Sequence, residues 1–136
     1  MGVAKLLFIE LPPVVSVTAI IQRDKKILCV DLSYYKGLGL PGGIINGDEE
    51  PIGALKREVF EETGLAVTAT NFLGTASAPF RKISCLTLVY AVEAAGDLRD
   101  SSEGTLIWLD PKDALPRLTY PNARLAIERF VNNSES

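Results

Sequence analysis

The chain has 136 residues, of which 47% are apolar, and 14 Lys and Arg against 17 Asp and Glu give a formal net charge of −3. This length and composition predict a single globular domain over residues 1–136 and exclude a disordered tail protein. The acidic balance argues against nucleic acid as a partner, and no apolar run reaches the roughly 18 residues that a membrane span needs.

The predicted elements begin with a β-hairpin. Residues 14–21 are rich in β-branched side chains, residues 22–26 form a polar turn, and residues 27–32 form a second apolar run. Residues 34–47 follow, with five glycines and one proline. This composition is incompatible with one regular element, so we predict a shaped loop there.

A helix is predicted next, between Pro51 and Gly64. Proline suits the first position of a helix, and glycine suits the residue just past its end. Ile52, Leu55 and Val59 recur at i, i+3 and i+7, a spacing that marks a buried face. These residues therefore predict an amphipathic helix with one side in the core.

The segments after this helix predict three more strands, over residues 65–70, 83–92 and 105–109. A helical turn is predicted at residues 110–115, and a final helix is predicted at residues 121–132. The order of strands, helix, strands and helix indicates the α/β class, as a sandwich with a mixed sheet.

Acidic side chains form a stripe along the first predicted helix. At about 100° per residue, Glu58, Glu61 and Glu62 lie together beside the buried face. Glu58 and Glu62 are one turn apart and repel each other, and Arg57, four residues before Glu61, offsets only part of this repulsion. Because Mg²⁺ prefers oxygen ligands, the stripe favours a metal site beside the glycine-rich loop, and a solvated acidic helix face is the alternative.

The chain contains no His, which restricts the chemistry that it can perform. A Ser–His or Cys–His relay and a His-ligated zinc are excluded. Acid–base chemistry at neutral pH must therefore use carboxylates, Lys, Tyr, Cys or water activated by a metal.

The two cysteines indicate a reducing compartment. Cys29 and Cys85 lie 56 residues apart in apolar surroundings, without a C-x-x-C motif, and this predicts two buried, reduced thiols. The apolar run at residues 6–9 is too short for the core of a signal peptide. We therefore expect a cytoplasmic protein.

The stretch from Gly43 to Leu65 matches the pattern G-x5-E-x7-R-E-U-x-E-E-x-G-U, in which U is an apolar residue. This stretch resembles the Nudix box, and every fixed position of the box is present. The residues at those positions are Gly43, Glu49, Arg57, Glu58, Val59, Glu61, Glu62, Gly64 and Leu65. The resemblance implies a Nudix-type α/β/α sandwich that hydrolyses the diphosphate linkage of a nucleoside diphosphate derivative, with Mg²⁺ or Mn²⁺ as cofactor.

The resemblance also implies roles for individual residues. The implied metal ligands are three glutamates of the box, Glu58, Glu61 and Glu62. The backbone carbonyl of Gly42 is implied as an additional ligand, and Arg57 is implied to orient the glutamates. Family members often use a further acid from a later loop as base or ligand, and Glu103 is the candidate for it. Because the chain has no His, we expect Glu61 or Glu103 to be the catalytic base.

Residues outside the box leave the substrate open among a nucleoside triphosphate, a modified nucleotide and a compound of the ADP-ribose type. The predicted partner is therefore a small nucleotide. Candidates for stacking on its base are Tyr34, Tyr35, Phe80 and Tyr90, of which Tyr90 lies inside a predicted strand and is expected in the core. The family also contains non-catalytic modules that sense nucleotides or bind proteins, and this is the alternative function. Many members form homodimers, so the oligomeric state stays open.

Overall fold

Residues 12–32, 37–102 and 104–135 are described in the computed structural model of the protein. The strands of this part are β1 (Val14–Arg23), β2 (Lys26–Leu32), β3 (Gly37–Gly39), β4 (Gly42–Ile44), β5 (Ala66–Phe80), β6 (Ile83–Ala95) and β7 (Thr105–Leu109). The helices are α1 (Pro51–Thr63), α2 (Pro111–Ala114) and α3 (Pro121–Glu135), with a 3-10 turn at Leu115–Arg117. Tyr34, Tyr35, Glu103 and the apolar run at residues 6–9 lie outside the described residues.

The seven strands form one open, mixed sheet. Its order is β3-β2-β1-β6-β5, with β4 paired to β1 and β7 paired to β2. β1 runs parallel to β6 and antiparallel to β2 and β4. Two parallel neighbours need a long crossover connection, and the chain between β1 and β6 contains α1. The structure therefore confirms the predicted α/β class with a mixed sheet.

β1 separates two layers of core because successive side chains of a strand point to opposite faces of the sheet. Val17, Ala19 and Ile21 are buried in the cluster that includes the apolar face of α1. Ile20 is buried in a second cluster, which includes Ile127 of α3. The sheet is thus covered by α1 on one face and α3 on the other, as expected for an α/β/α sandwich. Within the described part of the chain, no helix has the length and apolarity needed to cross a membrane.

The predicted turn and helix are confirmed. Asp24 and Lys25 adopt φ angles of 52° and 66°, which close the hairpin between β1 and β2. α1 starts at Pro51 and is followed by Gly64, whose φ of 80° is left-handed. Glycine adopts this conformation without the steric cost that a Cβ brings, and so it ends the helix.

β5 is longer than the strand predicted at residues 65–70, because it continues to Phe80. It is the edge strand of the sheet, most of its side chains are exposed, and its pairing with β6 is interrupted twice by bulges. An exposed and bulged strand shows no regular apolar alternation, so the sequence pattern gave no signal for its second half. Two short strands, β3 and β4, likewise lie inside the predicted loop.

Candidate active site

Arg57 organises the acidic side chains at the start and on the exposed side of α1. Its Nε and Nη2 donate to the two carboxylate oxygens of Glu49, at 2.7 and 3.0 Å. Its Nη1 donates to Glu58 at 2.9 Å and to Glu61 at 3.2 Å. Hydrogen bonds from Arg57, together with the backbone N–H of Asn46, lower the pKa of Glu49 to about 2. The bond to Glu49 in turn raises the pKa of Arg57 above its ordinary value.

Glu62 and Glu58 both reach the short strand β4. The backbone N–H of Gly42 donates to Glu62 Oε2 at 2.9 Å, and Glu62 is only 8% exposed. The Glu58 carboxylate lies against Gly43, where a Cβ would come within 2.6 Å of its carboxylate carbon. Glycine at position 43 therefore allows a close approach between the strand and the helix that a larger residue would prevent.

Glu58 and Glu62 fit a divalent cation by the chemistry of their donor atoms, because carboxylate oxygens are the ligands that Mg²⁺ prefers. Of the three predicted glutamate ligands, Glu61 is set apart by exposure, since its side chain is 57% exposed whereas that of Glu58 is 14% exposed. Among the described residues, no three Asp, Glu, Cys or His side chains are arranged as a ready set of metal ligands. The two carboxylates beside β4 are thus the core of the candidate site.

A cavity of about 370 Å³ extends from Glu62 along the sheet. Glu62 is the one charged side chain among the described residues that line it. Phe80 and Tyr120 line the same cavity, with ring centroids 5.0 Å apart and planes inclined by 62°. Tyr90 is buried in the core, as predicted, and packs against Phe72 instead. Pockets of this size with mostly apolar walls typically bind small molecules.

Three polar side chains form a network in the cavity wall. Asn122 Nδ2 donates to Thr87 Oγ1 at 2.9 Å and to the Cys85 carbonyl at 3.2 Å. Thr87 Oγ1 lies 2.8 Å from Ser16 Oγ. Asn122 Oδ1 is the one buried side-chain oxygen or nitrogen in the described part of the chain without a hydrogen-bond partner. Such an atom costs about 1–3 kcal/mol when it stays unpaired.

The sequence prediction missed Ser16, Thr87, Tyr120 and Asn122. Weak signals were present, since Ser16 and Thr87 interrupt apolar strands and Asn122 follows the proline that starts α3. Cys85 is half-buried, which differs from the prediction of two buried thiols, because it lies near the start of β6 and lines the cavity. Cys29 is fully buried, as expected.

Comparison with known proteins gives a consistent result. A family model described as the NUDIX domain matches residues 11–130. A MutT-like protein of Streptomyces ambofaciens is 32% identical over 79% of this chain and 71% of its own length. An ADP-ribose pyrophosphatase of Methanocaldococcus jannaschii is 30% identical over 85% of this chain and 72% of its own length. The solution structure of the E. coli ORF135 protein matches with a TM-score of 0.79 and 26% identity, covering 91% of this chain and 92% of that chain.

Proposed function

This chain belongs to the NUDIX domain family and is a Nudix pyrophosphohydrolase, and we propose that it hydrolyses the diphosphate linkage of a nucleoside diphosphate derivative with Mg²⁺ or Mn²⁺ as cofactor. The observation that carries the proposal is the position of Glu62. This residue belongs to the acidic stripe of α1 and also lines the cavity. A nucleoside in the cavity would therefore have its phosphates beside the carboxylates.

Nudix hydrolases generally need a divalent metal, and Glu58 and Glu62 are the proposed principal ligands. Glu61 and the backbone carbonyl of Gly42 are the proposed additional ligands. When bound, such an ion neutralises charge on the diphosphate and makes water more acidic. Arg57 keeps the carboxylates of Glu58 and Glu61 in place through its hydrogen bonds.

The proposed reaction is the attack of a water oxygen on one phosphorus, in line with the bond that breaks. A carboxylate accepts the proton of the water, and the second phosphate leaves with the electrons of the broken P–O bond. Glu61 is one proposed base, because it is the most exposed of the three carboxylates of the stripe. Glu103 is the other. Comparison of Glu61→Gln with Glu103→Gln separates the two assignments, because the variant that lacks the base loses the acidic limb of its pH profile, where the base becomes protonated.

The substrate class is proposed from the cavity. Its aromatic pair and neutral polar groups suit a nucleoside. A substrate with a further charged group would find few partners for it among the described lining residues. The similarity to an ADP-ribose pyrophosphatase supports ADP-ribose as a substrate to test, together with nucleoside triphosphates and modified nucleotides. The two free thiols support a reducing, cytoplasmic location.

The experiment is a screen of these nucleotides with Mg²⁺ and with Mn²⁺, in which the products are separated by ion-exchange chromatography.

We expect Glu58→Gln and Glu62→Gln each to lower kcat at least about a hundredfold, which corresponds to roughly 2.7 kcal/mol of barrier. Glu128→Gln is the matched control, because Glu128 is an exposed acid on α3, on the other face of the sheet. Near wild-type turnover by Glu62→Gln would overturn the assignment, and nucleotide binding without turnover would support the sensing alternative.

A further inference from the structure

The hydrogen bonds of the polar network in the cavity wall run in one direction. Asn122 Nδ2 donates to the Cys85 carbonyl, which is an acceptor only, so a flipped amide would place two acceptor oxygens against each other. Nδ2 therefore also donates to Thr87 Oγ1, at 2.9 Å. Thr87 is only 3% exposed, and Ser16 Oγ, at 2.8 Å, is the one described group that can accept its hydrogen. Because buried hydroxyl groups are normally satisfied, Thr87 donates to Ser16.

This direction leaves the hydrogen of the Ser16 hydroxyl outside the network. Among the described residues, Thr87 is the one hydrogen-bond partner of Ser16 Oγ, and it fills that bond with its own hydrogen. Ser16 is half-buried and lines the cavity. Since β4 and β6 pair with β1 on both sides of this residue, the exposed surface of Ser16 belongs mainly to its side chain. The hydroxyl of Ser16 thus presents an open donor to the cavity.

The register of the sheet places Ser16 between the two ends of the cavity. At one end, Gly42 pairs with Thr18, two residues after Ser16, and its N–H binds Glu62. At the other end is Phe80, which lies on β5 four residues beyond the row of Ser16. At roughly 3.3 Å per residue, these two separations along the strands are about 7 and 13 Å. A nucleotide with its base at the aromatic pair and its phosphates at the carboxylates therefore has its sugar beside Ser16.

We propose that Ser16 is a specificity-determining residue that donates a hydrogen bond to a hydroxyl oxygen of the pentose, so that the site favours substrates that carry this hydroxyl. This inference rests on the proposed function. A sugar hydroxyl accepts the open hydrogen of Ser16, whereas the corresponding deoxy sugar offers only a C–H group. A site built to hydrogen-bond a hydroxyl discriminates against the analogue that lacks it, because the polar group of the site is then left unpaired.

The test compares a ribonucleotide with its 2′-deoxy and 3′-deoxy forms, for the base that the substrate screen shows to be hydrolysed fastest. For wild-type protein we expect kcat/KM to be about tenfold lower for one of the two deoxy forms. Ser16→Ala should remove this difference, whereas Ser77→Ala should keep it. Ser77 is the matched control, because it is an exposed serine of β5 between the buried Ala76 and the cavity-lining Ala78, and so points to the opposite face of the sheet.

Equal or faster hydrolysis of both deoxy forms by wild type would overturn the inference. A preference that Ser16→Ala retains would overturn it too, because a purely structural role of Ser16 lowers the rates of all three forms equally and preserves their ratios. Should Ser16→Ala fail to fold in a thermal melt, Ser16→Cys takes its place and should lose the preference, because a thiol is only a weak donor.

If no nucleotide is hydrolysed with either metal, the proposed function fails instead. Calorimetric binding of ATP and of its 2′-deoxy and 3′-deoxy forms, without metal, then decides the inference. Weaker binding of one deoxy form by wild type, with no such difference in Ser16→Ala, supports the role of Ser16. Equal or undetectable binding of the three forms by wild type, or a difference that Ser16→Ala keeps, overturns it.

Discussion

Gly42 and Glu62 lie twenty residues apart in the sequence, and the backbone N–H of Gly42 donates a 2.9 Å hydrogen bond to Glu62 Oε2. This bond joins β4 to the last turn of α1 and places a carboxylate in the wall of the cavity. The neighbouring Gly43 allows Glu58 to approach the same strand. Two consecutive glycines thus bring both proposed metal-binding acids to one short segment of backbone.

We expect Gly43→Ala to lower turnover far more than stability. The added Cβ would lie 2.6 Å from the Glu58 carboxylate carbon and one of its oxygens, so the flexible end of Glu58 has to move away. Mutation of a residue that positions a metal ligand, as Gly43 does for Glu58, typically costs about 10- to 100-fold in activity. The measurement is kcat together with a thermal melt of the same preparation. Unchanged kcat would show that this position of Glu58 is not required.

Gly53→Ala is expected to stabilise the protein by about 0.5–1 kcal/mol, because alanine loses less backbone entropy than glycine inside a helix. Gly53 is exposed in α1, and an added Cβ would find only Glu49 Cγ, at 4.0 Å. Urea denaturation of variant and wild type measures the difference in the free energy of unfolding. Turnover should be unchanged, which makes this variant the helix-side control for Gly43→Ala.

Glu49→Gln should make stability less sensitive to acid. The pKa of Glu49 falls from 4.5 to about 2 in the folded protein, chiefly through its hydrogen bonds to Arg57. A carboxylate with a lowered pKa stabilises the fold above the unfolded pKa, and this contribution disappears as the pH falls towards the folded pKa. Wild type should therefore lose more stability than the variant between pH 4.5 and pH 2.

The measurement for Glu49→Gln is the urea midpoint across this pH range. Glu50→Gln is the matched control, because the Glu50 side chain makes no capping hydrogen bond to α1. Parallel pH dependences for wild type and Glu49→Gln would contradict the role assigned to the Glu49–Arg57 pair.

The two thiols are expected to react at very different rates. Burial raises the pKa of Cys29 to about 12, which keeps this thiol protonated and unreactive at neutral pH, and the side chain is fully buried. Cys85 is partly exposed at the cavity. Iodoacetamide at pH 8 should therefore label Cys85 first and Cys29 only after unfolding in urea, as followed by mass spectrometry. Equal labelling rates would contradict this burial pattern.

Phe80→Leu and Tyr120→Leu should raise KM with little change in kcat. Both rings line the cavity, and stacking of a base on an aromatic ring contributes about 1–3 kcal/mol, so a rise of about tenfold is expected. Phe72→Leu is the control, because Phe72 packs against Tyr90 away from the lining residues. A KM that rises equally in all three variants would exclude a specific stacking role.

The local elements around the acidic stripe were predictable because short-range rules encode them. Pro51 and Gly64 bound α1 as expected, and the residues between them repeat with the period of a helix. β7 spans Thr105–Leu109, as the apolar run predicts. The edge strand β5 was only half predicted, since an exposed strand with bulges has no apolar alternation to detect.

The sequence by itself determined the α/β class, the helix with its acidic stripe and the family resemblance, because each depends on residues within a few turns of one another. Only the tertiary structure decided what surrounds that stripe. The hydrogen bond between Gly42 and Glu62 depends on the pairing of β4 with β1, and the polar network joins Ser16, Thr87 and Asn122 from three separate elements. Local patterns carry no information about which distant strands pair. The cavity and the unpaired acceptor Asn122 Oδ1 in its wall therefore form only when the sheet is assembled.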